Sequence, residues 1–204
     1  EDHLRAQLNP YFLGCVTAML NCLFSVETLH SGTMLAFSNS VTTTIEECDG
    51  ANLQEALRSV CEWVYKKINE SLQDNNLMRE LNVEQREVFL NNWCSVLQPC
   101  IVRMGDKAIS DEMLTLFVDQ ALNVFNLCQK VMNGGLFILH GLIVTVEARI
   151  IPHMPKFMNF LFCSLRMESC DEMGTRLTAG LISDLANAVN GEIIQHLPNI
   201  IPSL

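Results

Sequence analysis

The chain has 204 residues, 49% of them apolar and 18% charged, so it can bury a substantial core and is no disordered tail. Ten glycines and six prolines exclude collagen and argue against a low-complexity linker or a loop-rich all-β chain. Twenty-three acids against thirteen bases leave a formal charge of −10, which lacks the cationic surface of a nucleic-acid binder and favours basic protein partners.

Hydrophobic spacing is helical almost throughout. Pro10 opens a first predicted helix, Tyr11 to Leu23, at a position where its missing N–H costs little. After a break over residues 25–31, Met34, Phe37, Val41, Ile45 and Cys48 recur at three and four residues until Asp49 and Gly50 stop the second helix. Leu53, Leu57, Val60, Val64, Ile68 and Leu72 define a third, and Leu90, Trp93, Leu97, Cys100 and Met104 a fourth that ends at Gly105. Ser110 is an N-cap candidate for the fifth, with Asp111 and Glu112 in its first turn and Leu114, Phe117, Leu122, Phe125 and Cys128 on its apolar face.

The sixth follows Asn133, Gly134 and Gly135. Its apolar stretch, Leu136 to Val146, has 11 residues, too few to cross a bilayer, and reads as a buried helix. Helices seven (about Ile151 to Leu165), eight (Glu172 to Val189) and nine (Glu192 onward) complete the pass, with no credible strand. Acidity is spread along the chain: residues 1–50 carry −5, residues 51–110 carry −1 and residues 111–204 carry −4. Nine cysteines form an odd set with no C-x-x-C pair and no Cys/His cluster at zinc spacing, which implies reduced thiols, an intracellular setting and no metal. With no initiator Met, and with the last helical pattern still running at Leu204, the chain reads as an excised fragment without an internal domain boundary.

A repeat organises these helices. Sliding the sequence by 43 residues lays Ile150–Leu161 on Ile193–Leu204, with identities at Ile150/Ile193, Ile151/Ile194, His153/His196, Pro155/Pro198 and Leu161/Leu204. Leu139/Ile182, Leu142/Leu185 and Val146/Val189 keep apolar register at the same offset. A fainter copy begins at Leu8-Asn9-Pro10-Tyr11-Phe12, since Pro10 lies 145 residues, or about three repeats, before Pro155. Two-helix units of 40 to 47 residues are the signature of HEAT and armadillo repeats, whereas tetratricopeptide repeats need about 34. The expected fold is therefore all-α, an α-α superhelix of HEAT type, with about nine helices in four antiparallel pairs plus one terminal helix. Approximate repeats are 8–48, 51–105, 110–148, 150–189 and a partial 192–204 within one array over 1–204.

Once the helices are paired, the residues resemble the importin-beta family of nuclear transport receptors. Leu8-Asn9-Pro10-Tyr11 before an apolar helix is similar to that family's L-x-P-Y-L start of an outer helix. Gly180-Leu181-Ile182-Ser183-Asp184-Leu185, with Ala186, Ala188 and then Gly191-Glu192, resembles its G-L-x-G-D-L/I inner helix running into G-E-F-x-x-Y-L. Residues Gly135 to Phe160 resemble the neighbouring repeat, with Leu142, Val144 and Val146 before the turn and Pro155 and Phe157 after it. The order of these motifs matches the central part of such a receptor. Ser183 departs from the family's Gly, and no run of consecutive acids stands for its acidic loop.

The resemblance implies a receptor segment in the cytoplasm and nucleus and at the nuclear pore. It implies binding of basic cargo or an importin-alpha-type adaptor on inner helices, of phenylalanine-glycine (FG) nucleoporins between outer helices, and of Ran in its GTP form. The alternative is a HEAT scaffold of another assembly, such as a phosphatase or chromosome-associated complex.

Inner helices two, four, six and eight carry the basic-ligand candidates Glu46, Glu47, Glu84, Glu87, Glu147, Asp171, Glu172 and Asp184, because a ladder of carboxylates attracts and orients Lys and Arg. Their ordinary roles are a solvated helix face, helix N-terminus compensation for Asp171 and Glu172, and a bridge to the adjacent repeat for Asp184. Outer helices seven and nine offer Phe157, Phe160, Ile200 and Ile201 as walls of an FG slot; at helical spacing such residues are otherwise core. Trp63 lies at the edge of its apolar face and Trp93 is in phase with the core. His153 and His196 read as turn residues and His140 as a core histidine, since one His per repeat makes no zinc site. No G-x-S-x-G, Walker A or paired Cys/His order appears, so no catalysis, cofactor or membrane insertion is expected. The apolar face Ile193, Leu197, Ile200 and Leu204 on the last helix is expected to associate with a second copy.

Overall fold

The computed structural model describes residues 11–23, 31–48, 53–73, 83–127, 133–166 and 172–201. Among them are nine α-helices and no strand: α1 (Phe12–Leu23), α2 (Ser31–Glu47), α3 (Leu53–Gln73), α4 (Val83–Met104), α5 (Asp111–Leu127), α6 (Asn133–Val146), α7 (Met154–Arg166), α8 (Glu172–Val189) and α9 (Leu197–Ile200). The buried stripes follow the predicted spacing. Phe12, Val16 and Leu20 form one on α1, Leu57, Val60, Val64 and Ile68 one on α3, and Leu181, Leu185 and Val189 one on α8.

The helices gather into two compact units, Glu1–Met104 and Gly105–Leu204, where the sequence reading expects no internal boundary. Repeats touch only their neighbours, so the division falls at a repeat junction, Gly105. In the first unit α1 packs on α2 and α3, and α4 packs on both α2 and α3. In the second, α5 packs on α6 and α7, and α8 packs on both α6 and α7. Odd helices thus stack on odd and even on even within each unit, as antiparallel hairpins must when each covers its neighbour's exposed stripe. Trp93, buried on α4, meets Trp63 of α3 at 5.7 Å between ring centroids. Ser38, one of the few buried polar residues, is satisfied across α2 and α4 by the Ser95 hydroxyl at 3.0 Å.

The 43-residue interval reappears as backbone geometry. Gly105, Glu147 and Asn190 follow the last residues of α4, α6 and α8 and have φ of +72°, +46° and +48°. Each puts a positive-φ residue just past an even helix, which ends the helix and turns the chain. Two 3₁₀ segments of seven residues follow, Glu147–His153 and Asn190–His196, and α7 and α9 then begin at Met154 and Leu197 with Pro155 and Pro198 in second place. Helices seven and nine therefore start later than their apolar pattern suggests. Pro152, lacking an N–H, falls within the first of these tight segments.

Arg149 ties two successive turns of the second unit together. Its guanidinium donates to the Asp106 carboxylate at 2.5 Å and carbonyl at 3.1 Å, to the Ile109 carbonyl at 2.9 Å and to the Asp111 carboxylate at 2.6 Å. The helical run Asn133–Leu165 is long and apolar enough to span a bilayer by length and composition. Glu147 breaks its axis, and more than half of its most apolar window is buried inside the protein, as in a core hairpin.

Two substitutions test this frame. A Cβ on Gly135 would lie 2.8 Å from the Phe125 ring and 2.9 Å from the Ala121 carbonyl oxygen. The Phe125 ring is stacked on Phe160 at 5.2 Å. Gly135→Ala is therefore expected to lower stability by about 1–3 kcal/mol, read from the urea midpoint. Glu147→Gly removes the side-chain clash of a left-handed residue and should raise stability by about 0.5–1 kcal/mol in the same titration. An unchanged midpoint would contradict the turn geometry.

Candidate functional site

Two grooves mark the second unit. One, of about 600 Å³, runs between α6 and α8 and is lined by His140 from α6 and by Glu172, Met173, Arg176, Leu177, Gly180, Leu181 and Asp184 from α8. The other, of about 330 Å³, lies between α7 and the last turn of chain, lined by Pro155, Met158, Asn159, Phe162, Cys163, His196 and Asn199.

The first groove has internal order that follows from helix periodicity. Glu172, Arg176, Gly180 and Asp184 are spaced by four and form one ridge; Met173, Leu177 and Leu181 form the ridge beside it. Arg176 binds Glu172 at 2.5 Å with both side chains about four-fifths exposed, so that pair contributes little. His140 meets Asp184 at 3.2 Å with about a third of each side chain exposed. Asp184 therefore does bridge to the adjacent helix pair, and His140 is a groove residue rather than a core histidine. Side chains two turns apart on α6 and α8 decide this, and neither helix read alone reveals it.

The other basic-ligand candidates are dispersed. Glu46 and Glu47 are exposed at the end of α2. Glu147 is exposed but sits in the left-handed turn after α6, not on the helix. Glu84 and Glu87 belong to α4, yet their side chains, like Asp171, lie outside the described residues. Of the eight candidates, only Glu172 and Asp184 line a common groove, and each already has a side chain of the same chain against it, Arg176 and His140 respectively.

The FG-slot candidates need correction. Phe157 is fully buried and Ile200 is 3% exposed, so both are core. Phe160 lies against Phe125 of α5 with the rings 11° from parallel. Ile201 is exposed but does not line the groove. The lining comes from the next positions round the helix, Met158, Asn159, Phe162 and Cys163, with the Phe162 ring 6.2 Å from that of His196. The reason is ordinary helix periodicity: Met154, Phe157, Met158 and Leu161 recur at three and four residues and form the buried stripe of α7. Ile194, Leu197 and Ile201 are exposed and Ile193 and Ile200 buried, whereas the sequence places Ile193 and Ile200 on the exposed face; Leu204 lies outside the described residues.

Two of the described thiols are held in the protonated form. The Cys61 thiol, buried between α3 and α4, is raised well above its usual range first by a hydrogen bond with Cys100 and then by burial, and the Cys48 thiol is raised by burial. A thiol held un-ionised is a poor nucleophile and a poor metal ligand. Among the described residues no group of three His, Cys, Asp or Glu side chains converges as a metal site.

Comparison with known proteins bears on what these grooves belong to. The sequence matches the family described as Importin subunit beta-1-like, TPR repeats, over residues 1–204. The chain belongs to the importin beta-1-like family. That description names tetratricopeptide repeats, but the 43-residue offset and the paired left-handed turns are those of the longer HEAT unit. The crystal structure of importin beta in a polyethylene glycol condition is similar in fold, with a TM-score of 0.82 over 96% of this chain at 18% identity. The chain spans 23% of that protein's length. No curated protein matches the sequence.

Arg149, His140 and Arg176 escape a search for carboxylates and aromatics. A signal for two of them was present: Arg149 stands 43 residues after Asp106, and Glu172, Arg176 and Asp184 share a row spaced by four.

His153 provides a pH test of the importin beta-like turn. Its Nδ1 is buried without a hydrogen-bond partner, and burial, then the charge of Lys156, lowers its pKa below 6.5. The unfolded chain takes up a proton near 6.5 that the folded turn resists, so the stability linked to this group is full above 6.5 and is lost as pH falls through that value. Thermal melts from pH 7.5 to 5.5 should show a smaller loss for His153→Gln than for the unaltered chain; equal losses would contradict the assignment.

Proposed function

We propose that this chain is a segment of a nuclear import receptor, binding basic cargo or an importin-alpha-type adaptor, Ran in its GTP form and FG nucleoporins while shuttling between cytoplasm and nucleus. The match to the importin beta-1-like family along all of residues 1–204 carries this reading. The net charge of −10 supports a basic partner over nucleic acid. The function is mechanical and not catalytic: each repeat contacts only its neighbours, so small rotations between repeats add up, and ligands that prefer one pitch shift the population toward it.

The groove between α7 and α9 is the place for a phenylalanine ring, with Phe162 as an apolar wall beside the buried Met158 and Asn159 at its edge to meet a peptide backbone. It takes over the role that the sequence assigns to Phe157, Phe160, Ile200 and Ile201. The exposed Ile194, Leu197 and Ile201 are the surface through which two copies would associate.

The decisive measurement compares binding of the chain to Ran loaded with GTP and with GDP. The receptor reading expects retention of the GTP form at least tenfold above the GDP form. Equal retention of both forms, or of neither, would remove it and leave a HEAT scaffold of another assembly.

A further inference from the structure

The α6–α8 groove has a polar row interrupted by a gap. Glu172 and Asp184 stand at its two ends, twelve residues apart on α8, which is about 18 Å along a helix. Between them Gly180 leaves open space: nothing lies within 4 Å of where a Cβ would be. Beside the gap run Leu177 and Leu181, with Met173 53% exposed at the rim. Acid, apolar floor and acid therefore succeed one another over a distance that extended chain covers in about five or six residues.

Both acids are already covered from within. His140 reaches Asp184 from α6 and Arg176 reaches Glu172 along α8. An incoming cation must take the place of these groups rather than meet bare carboxylates. The exposed Arg176 pair yields readily, because an i, i+4 pair in water contributes only a few tenths of a kcal/mol. The half-buried His140 pair resists more, since an ordered partner in a partly dry groove is harder to exchange.

We propose that this groove receives an extended segment with two basic side chains about six residues apart, on one face of the strand with an apolar side chain between them, and that His140 and Arg176 act as its built-in competitors. The apolar residue rests in the Gly180 gap against Leu177 and Leu181. The two cations replace Arg176 at Glu172 and His140 at Asp184. The competitors set specificity: a single basic residue displaces one of them and gains little, whereas two at the right spacing, anchored by apolar contact, displace both. This rests on the reading of the chain as a receptor for basic partners and adds to it which spacing is selected and why.

The test uses the whole 204-residue chain and a fluorescent nonapeptide with two arginines about six residues apart and a leucine between them, two residues from one, so that all three share a face. A control of the same composition has the arginines adjacent. Anisotropy titration is expected to show the spaced peptide binding about tenfold more tightly than the control. Asp184→Asn should abolish that preference, and Arg176→Gln should tighten the spaced peptide about threefold by removing a competitor. Gly180→Arg fills the gap with a cation at an exposed helical site that accepts a side chain, so it should block binding while its thermal melt shows an intact fold. Equal affinity for the two peptides, or unaltered binding by Asp184→Asn or Gly180→Arg, would overturn the groove assignment. Weaker binding by Arg176→Gln would overturn the competitor role. Ran discrimination retained alongside any of these failures confines the error to the groove; a spacing preference without Ran discrimination supports the groove and removes the receptor reading.

Discussion

A hairpin of two amphipathic helices has more apolar surface than its two members can cover for each other. Every other feature of this chain answers that constraint. α4 and α8 each touch both their hairpin partner and the preceding even helix. On α4 the result is a wide buried band from Phe89 to Met104 that includes Trp93, Val96, Leu97, Cys100 and Ile101. A repeat that shares its faces in this way gains stability from its neighbours, and its turns must bring each hairpin back at the same angle.

The turns meet that demand with one backbone device and different residues. Gly105, at φ +72° and ψ 165°, holds a conformation open to glycine alone, Asn190 tolerates a positive φ, and Glu147 holds one against its own preference. The strained Glu147 is supported two residues on by Arg149, whose bonds to Asp106, Ile109 and Asp111 lock the turn after α6 to the one after α4. Those acids, Asp111 first, in turn stabilise the guanidinium charge and raise its pKa. The cluster is partly exposed, so its worth lies in fixing geometry more than in raw stability.

The grooves are products of the same stacking. A ligand surface in such an array is what remains between two parallel helices when a small residue stands where a large one would close the gap. Gly180 does this between α6 and α8. In the second unit the two clefts are modest, and the charge in the α6–α8 cleft is already partly spent on internal pairs.

The amino-acid sequence by itself determined the helices, their order, the 43-residue interval and the family. Helix periodicity and turn chemistry are local, and a repeat copies them along the chain: Pro155 and Pro198, or Gly105 and Asn190, announce the same turn without knowledge of any contact. The tertiary structure alone decided which of eight carboxylates meet in one groove, that His140 covers Asp184, and that Asn159, Phe162 and Cys163 rather than Phe157 and Ile200 face the second groove. Those outcomes depend on the rotational phase between helices about forty residues apart.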